Sequence, residues 1–135
     1  MKLTLTRLAL ACLVLAVLTS CRTTTIYNVV ASPVSTAFGK EPSLDQVTKA
    51  IVAAGTGLGW VMAVVHPGLI NGTLNVRSHQ AVVEIPYTTK AYSIKYKNSS
   101  DLKYDPEKQT IHSNYRGWVQ NLDNAIRARL SAIGS

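Results

Sequence analysis

Three histidines, His66, His79 and His112, are the side chains of this 135-residue chain best suited to acid–base or metal chemistry. None stands in a His-x-x-x-His or Cys-x-x-Cys spacing, the patterns that bring two ligands onto one face of an element. No metal or cofactor is expected from them. Serines, His79 or His112, and Asp101 or Asp105 supply the residue types of a nucleophile–base–acid triad. The Gly-x-Ser-x-Gly turn that lifts a serine out of an α/β-hydrolase sheet is missing, and nothing else in the sequence positions the three groups. Asp101, Asp105 and Glu107 surround an expected turn, where acids bond the nearby backbone, and so do not read as a catalytic pair. Gly55, Gly57 and Gly59 leave a helix and enter a strand. A phosphate-cradling loop runs the other way, from strand to helix, so these glycines read as a helix stop and a turn.

The residues suited to binding are more numerous. Lys90, Lys95, Lys97, Lys103 and Lys108 are interspersed with Tyr92, Tyr96 and Tyr104, a mixture that grips sugars or acidic polymers by stacking and ion pairing. Strand alternation places Tyr92 and Tyr96 opposite Lys95 and Lys97, which directs the tyrosines to a core and the lysines to solvent. Lys95 and Lys97 are therefore the candidate contacts for an anionic ligand. Trp60, beside flexible glycines, and Arg77 with His79, in a turn between strands, are the candidate contacts for a protein partner.

The most specific chemistry belongs to Cys21. Lys2 and Arg7 precede an apolar run of eleven residues, Leu8 to Leu18, and Leu18-Thr19-Ser20-Cys21 closes it. A basic, then apolar, then small-residue order is a secretory signal, and eleven residues fall short of the roughly 20 that span a bilayer. With a thiol directly after Leu-Thr-Ser, the segment resembles the type II signal peptide and lipobox of bacterial lipoproteins. That resemblance implies acylation of Cys21 and removal of residues 1–20. Arg22 follows in place of the aspartate that retains lipoproteins at the inner membrane, so the resemblance points to the outer membrane, with the domain facing the periplasm.

Cys12 leaves with the signal peptide, so the mature chain has one cysteine and no intramolecular disulfide. Its domain must fold by core burial. Removing Lys2 and Arg7 from fourteen basic residues leaves twelve against seven acids, a net charge of +5. This favours anionic neighbours such as head groups, lipopolysaccharide or peptidoglycan, and export disfavours nucleic acid.

These residues need elements to position them. Residues 21–42, rich in Thr, Ser, Pro and Gly, read as the lipidated N-terminus and a flexible tether, although Ile26 to Val30 has the composition of an edge strand. Residues 43–135 read as a single α+β domain. Ser43 and Gln46 form a capping box that starts a helix with the apolar stripe Leu44, Val47, Ile51 and Ala54, ended by Gly55. Four strands follow. Trp60 to Val65 turns at Pro67-Gly68 into the alternating run Ile70, Gly72, Leu74 and Val76; Ala81, Val83, Ile85 and Tyr87 form a third strand, and Tyr92, Ile94 and Tyr96 a fourth. A small hairpin is expected across Asp105 to Lys108, and a last helix from about Tyr115 to Ile133 with the stripe Trp118, Leu122, Ile126, Leu130 and Ile133. The expected architecture is two-layered, an antiparallel four-stranded meander with two amphipathic helices on one face.

Pro67-Gly68, the Ile70-x-Gly72-x-Leu74 run, Tyr92-Ser93-Ile94-x-Tyr96 and Ile111-His112-Ser113-Asn114-Tyr115-x-x-Trp118-Val119 resemble small lipoproteins of Gram-negative bacteria, a resemblance that implies no particular activity. The expected function is that of an envelope-anchored, non-catalytic module that binds or helps assemble another envelope protein. The alternative is recognition of peptidoglycan or lipopolysaccharide through the basic Lys90 to Lys108 region.

Overall fold

The computed structural model describes residues 22–135. The expected signal peptide and the expected lipidation site, Cys21, lie outside the described residues. The domain is α+β, with strands β1 (Thr23–Thr25), β2 (Val29–Pro33), β3 (Val61–His66), β4 (Leu69–Val76), β5 (His79–Pro86), β6 (Ala91–Ser100) and β7 (Thr110–His112), and helices α1 (Leu44–Gly57) and α2 (Asn114–Ser131). A short 3₁₀ turn spans Ala37–Gly39.

The expected meander is present as β3 to β6, and β2 extends it to a five-stranded antiparallel sheet of order β2-β6-β5-β4-β3. Alternation sorts its two faces. Ile70, Leu74, Ala81, Val83, Ile85, Tyr92 and Ile94 are buried on one, while Asn71, Thr73, Glu84 and Lys95 lie on the other. Gly68, at φ 96°, is the turn residue after Pro67 that only glycine adopts without strain.

Residues 23–33 hold two strands in place of a free tether, and the edge strand expected at Ile26 to Val30 appears as β2, shifted to Val29–Pro33. β1 pairs with β7, with Thr23 opposite His112, and β2 pairs with the outer edge of β6, with Val29 opposite Ile94 and Ser32 opposite Tyr92. The physical reason is a bulge: Ala31, φ 48°, tied to the sheet by a bond from Ala31 N–H to Ser93 Oγ, brings Val29 and Ser32, three residues apart, to the same buried face. β1, three exposed threonines, carries no apolar pattern that a sequence could show.

Helix α1 begins at the expected capping box, with Ser43 N–H donating to Gln46 Oε1 at 2.9 Å and Gln46 N–H to Ser43 Oγ at 3.1 Å. It runs two residues beyond Gly55, the expected stop. Gly55 serves packing instead: a Cβ there would overlap the Met62 side chain of β3, so glycine lets α1 lie against that strand. The left-handed residue that turns the chain is Gly59, φ 87°. On α2 the buried stripe is Tyr115, Val119, Leu122, Ile126 and Leu130, with Trp118 at its margin and packed against the core. The expected hairpin at Asp105 to Lys108 reduces to one bridge, Asp105 to Thr110, because β7 takes β1 as its strand partner. Asp105 Oδ1 accepts from Glu107 N–H at 3.0 Å and Lys108 N–H at 3.1 Å, the backbone role that acids in turns commonly fill.

Candidate functional site

The turns at one end of the sheet gather polar groups that are distant in sequence. Arg77 and Ser78 form the two-residue connection between β4 and β5, and Asp101 to Lys103 follow β6. Ser78 Oγ donates to Asp101 Oδ2 at 2.6 Å, and His79 Nδ1 lies 2.6 Å from the Asp101 carbonyl and 3.5 Å from Asp101 Oδ2. The rings of His79 and His112 are 5.9 Å apart, and His112 Nδ1 accepts from Asn114 N–H at 3.2 Å. His66 stands apart at the end of β3, against the Pro67 carbonyl.

Ser78, His79 and Asp101 are the residue types of a hydrolytic triad, in the wrong order of contact. In a working triad the serine donates to the histidine, which the acid orients. Here the serine hydroxyl is bonded to the acid, and Asp101 is 62% exposed to water. The trio clamps two turns together. Among the described residues no three or more His, Cys, Asp or Glu side chains are grouped to hold a metal ion.

A second polar cluster lies beneath β2. Asp123 is buried on α2, accepts from Tyr92 Oη at 2.6 Å and pairs with Arg127 Nη2 at 2.8 Å. Burial and the neighbouring Asp123 carboxylate push the Tyr92 phenol up to about 12. The Tyr92 hydroxyl and Asp123 in turn push the Arg127 guanidinium up. An open cleft of about 370 Å³ adjoins the cluster, lined by Ser32, Pro33, Ser35, Arg127, Leu130 and Ser131. Its only cation, Arg127, is already bound to Asp123. The sequence reading places neither Asp123 nor Arg127 in a site; the signal available is an acid beside the apolar stripe with an arginine four residues on.

The third feature is β3, an edge strand of the sheet. Val61, Val64 and Val65 are exposed, at 65%, 49% and 52%, and the strand bears no Asp, Glu, Lys or Arg. Natural edges are blunted by charge, proline or brevity; this one is six residues long and apolar.

The sequence-derived candidates divide among these places. Trp60 is corrected: it is only 3% exposed, because Gly72 on β4 leaves room for its ring, with Trp60 Cε3 only 3.3 Å from where a Cβ would stand. It supports the β3 edge from inside and presents no surface to a partner. Arg77 is exposed, and His79 is half-buried in the turn clamp. Lys95 and Lys97 are both exposed on the face opposite the core, where Lys95 faces Glu84 across the strand pair and Lys97 Nζ reaches Asn71 Oδ1 at 3.3 Å. Their tyrosine neighbours point inward: Tyr96 packs on Tyr104 at 4.5 Å and Tyr115 at 5.8 Å between ring centres. The remaining lysines scatter. Lys90 is in the turn at one end of the sheet and Lys103 at the other, roughly 25 Å away along β5 at 3.3 Å per residue.

No protein family, curated protein or solved structure matches the chain. Among the described residues no helix is long and apolar enough to cross a membrane.

Proposed function

We propose that this protein is an outer-membrane lipoprotein, acylated on Cys21 and facing the periplasm, whose domain binds an extended segment of another envelope protein without catalysing a reaction. The observation that carries the binding claim is β3: an apolar edge with three exposed valines, backed from within by Trp60 and Met62. An extended partner segment adding a sixth strand would satisfy the free backbone groups of that edge and cover its valines, the arrangement known as strand augmentation. The wrongly ordered Ser78–His79–Asp101 contacts support a non-catalytic role.

Binding of anionic envelope polymers through Lys90 to Lys108 is the weaker reading. Those lysines do not form one surface, and Lys95 faces an acid.

The test is copurification of the full-length protein from membranes, with and without Val61→Lys and Val65→Lys on β3. The reading expects an envelope protein to copurify with the parent and to be lost from the doubly substituted chain, with thermal stability little changed. Retention of that partner by the substituted chain, or substrate turnover by the purified domain, would overturn it.

A further inference from the structure

The described chain begins inside the fold. The Arg22 carbonyl accepts from Ser113 N–H at 2.9 Å, Thr23 stands opposite His112, and Ile26 N–H donates to the Gln109 carbonyl at 2.9 Å. One peptide unit, about 3.8 Å between Cα atoms, joins Arg22 to Cys21. A free tether of twenty residues would have averaged roughly 25 Å. With the tether folded into β1 and β2, an acyl group on Cys21 is attached beside the surface of the domain.

From this we infer that the end of the domain bearing Arg22, the Arg77–Ser78 turn and Lys103 docks on the phosphate groups of anionic phospholipids in the leaflet that holds the anchor. The inference rests on the acylation of Cys21 proposed above. Hydrogen bonds link the parts of this end in sequence. Ser113 bonds Arg22; the neighbouring His112 N–H donates to the Leu102 carbonyl at 2.8 Å; and Asp101, next to Leu102, is bound by Ser78 and His79. Arg22, Arg77 and Lys103 are exposed, and none is in an ion pair among the described residues. Arg77 and Lys103 sit at turn positions with φ 56° and 52°. Asp101, the acid among these turns, keeps its charge while accepting from Ser78, which leaves three cations against one carboxylate. Helix α2 also starts here, and its first-turn N–H groups add partial positive charge on the same side. A cationic end fixed beside a lipid anchor faces a negatively charged bilayer at short range, where screening is weakest.

The experiment uses the lipidated protein in vesicles of phosphatidylethanolamine and phosphatidylglycerol. A single introduced cysteine, from Asn114→Cys at this end or Lys90→Cys at the far end, carries an environment-sensitive fluorophore; Cys21 is blocked by its own lipid. Docking predicts that iodide quenches the Asn114 position several-fold less than the Lys90 position. Adding Arg77→Gln and Lys103→Gln should abolish the difference, since each basic residue near such a surface contributes about fivefold to its binding. Equal quenching at both positions, with Cys21 shown by mass spectrometry to be acylated, would overturn the docking alone. An unacylated Cys21 would overturn the anchor reading and the docking with it.

Discussion

Tyr92 shows how one buried hydroxyl ties three elements together. It lies on β6, bonds the Asp123 carboxylate of α2, and stands opposite Ser32 of β2. Its phenol holds its proton to about pH 12 in the folded state, against about 10 when unfolded, so the unfolded chain loses that proton first as pH rises. The contribution is therefore constant below pH 10 and is lost as pH climbs from about 10 to about 12. Tyr96 and Tyr115, both pushed up chiefly by burial, act in the same direction. Urea titrations across that range should show stability falling, and Tyr92→Phe should make the fall shallower. At neutral pH the same substitution leaves the buried Asp123 one donor short and should cost roughly 1–3 kcal/mol. An unchanged urea midpoint for the variant would mean that the bond adds nothing net. Sequence alone gave Tyr92 a place in the core through alternation but could not supply its partner, which is 31 residues away on a helix.

Among the elements, β1 and β2 separate a folded N-terminal segment from a tether most sharply. Removing Thr23–Pro33 exposes the outer edge of β6 and deletes the burial of Val29, which alone is worth roughly 1.5–2 kcal/mol. The shortened domain should therefore lose more than that in urea denaturation, whereas a tether could be removed without effect. At the helix–strand contact, Gly55→Val should displace the Met62 side chain that fills this space and cost roughly 1–3 kcal/mol by overpacking, read as a lower melting temperature. The meander and both helices were legible because their apolar periods extend over enough residues to stand out: Ile70, Gly72 and Leu74, or Leu122, Ile126 and Leu130. β1 and β7 were not legible as partners. Each is three residues long, their buried content is little more than Ile111, and 87 residues separate Thr24 from its partner Ile111. Trp60 was misplaced for a related reason, since its burial depends on the absent side chain of Gly72 across the strand pair.

For the molecule as a whole, the proposal makes position as important as binding. On that proposal the domain stands at a membrane with its cationic end toward the lipid, and the β3 edge, an outer strand of the sheet, stays open. Cys21→Ser should release the protein from membranes or leave its precursor unprocessed, as fractionation and intact mass would show, because stable attachment needs two or more acyl chains. The measurement that tests the central claim most directly is photo-cross-linking in living cells from a reactive residue placed at Val65 on β3, compared with one at Asn124, exposed on α2. The account predicts one dominant envelope protein joined at Val65 and absent at Asn124. The same adducts from both positions, or lipid and glycan adducts alone, would contradict it.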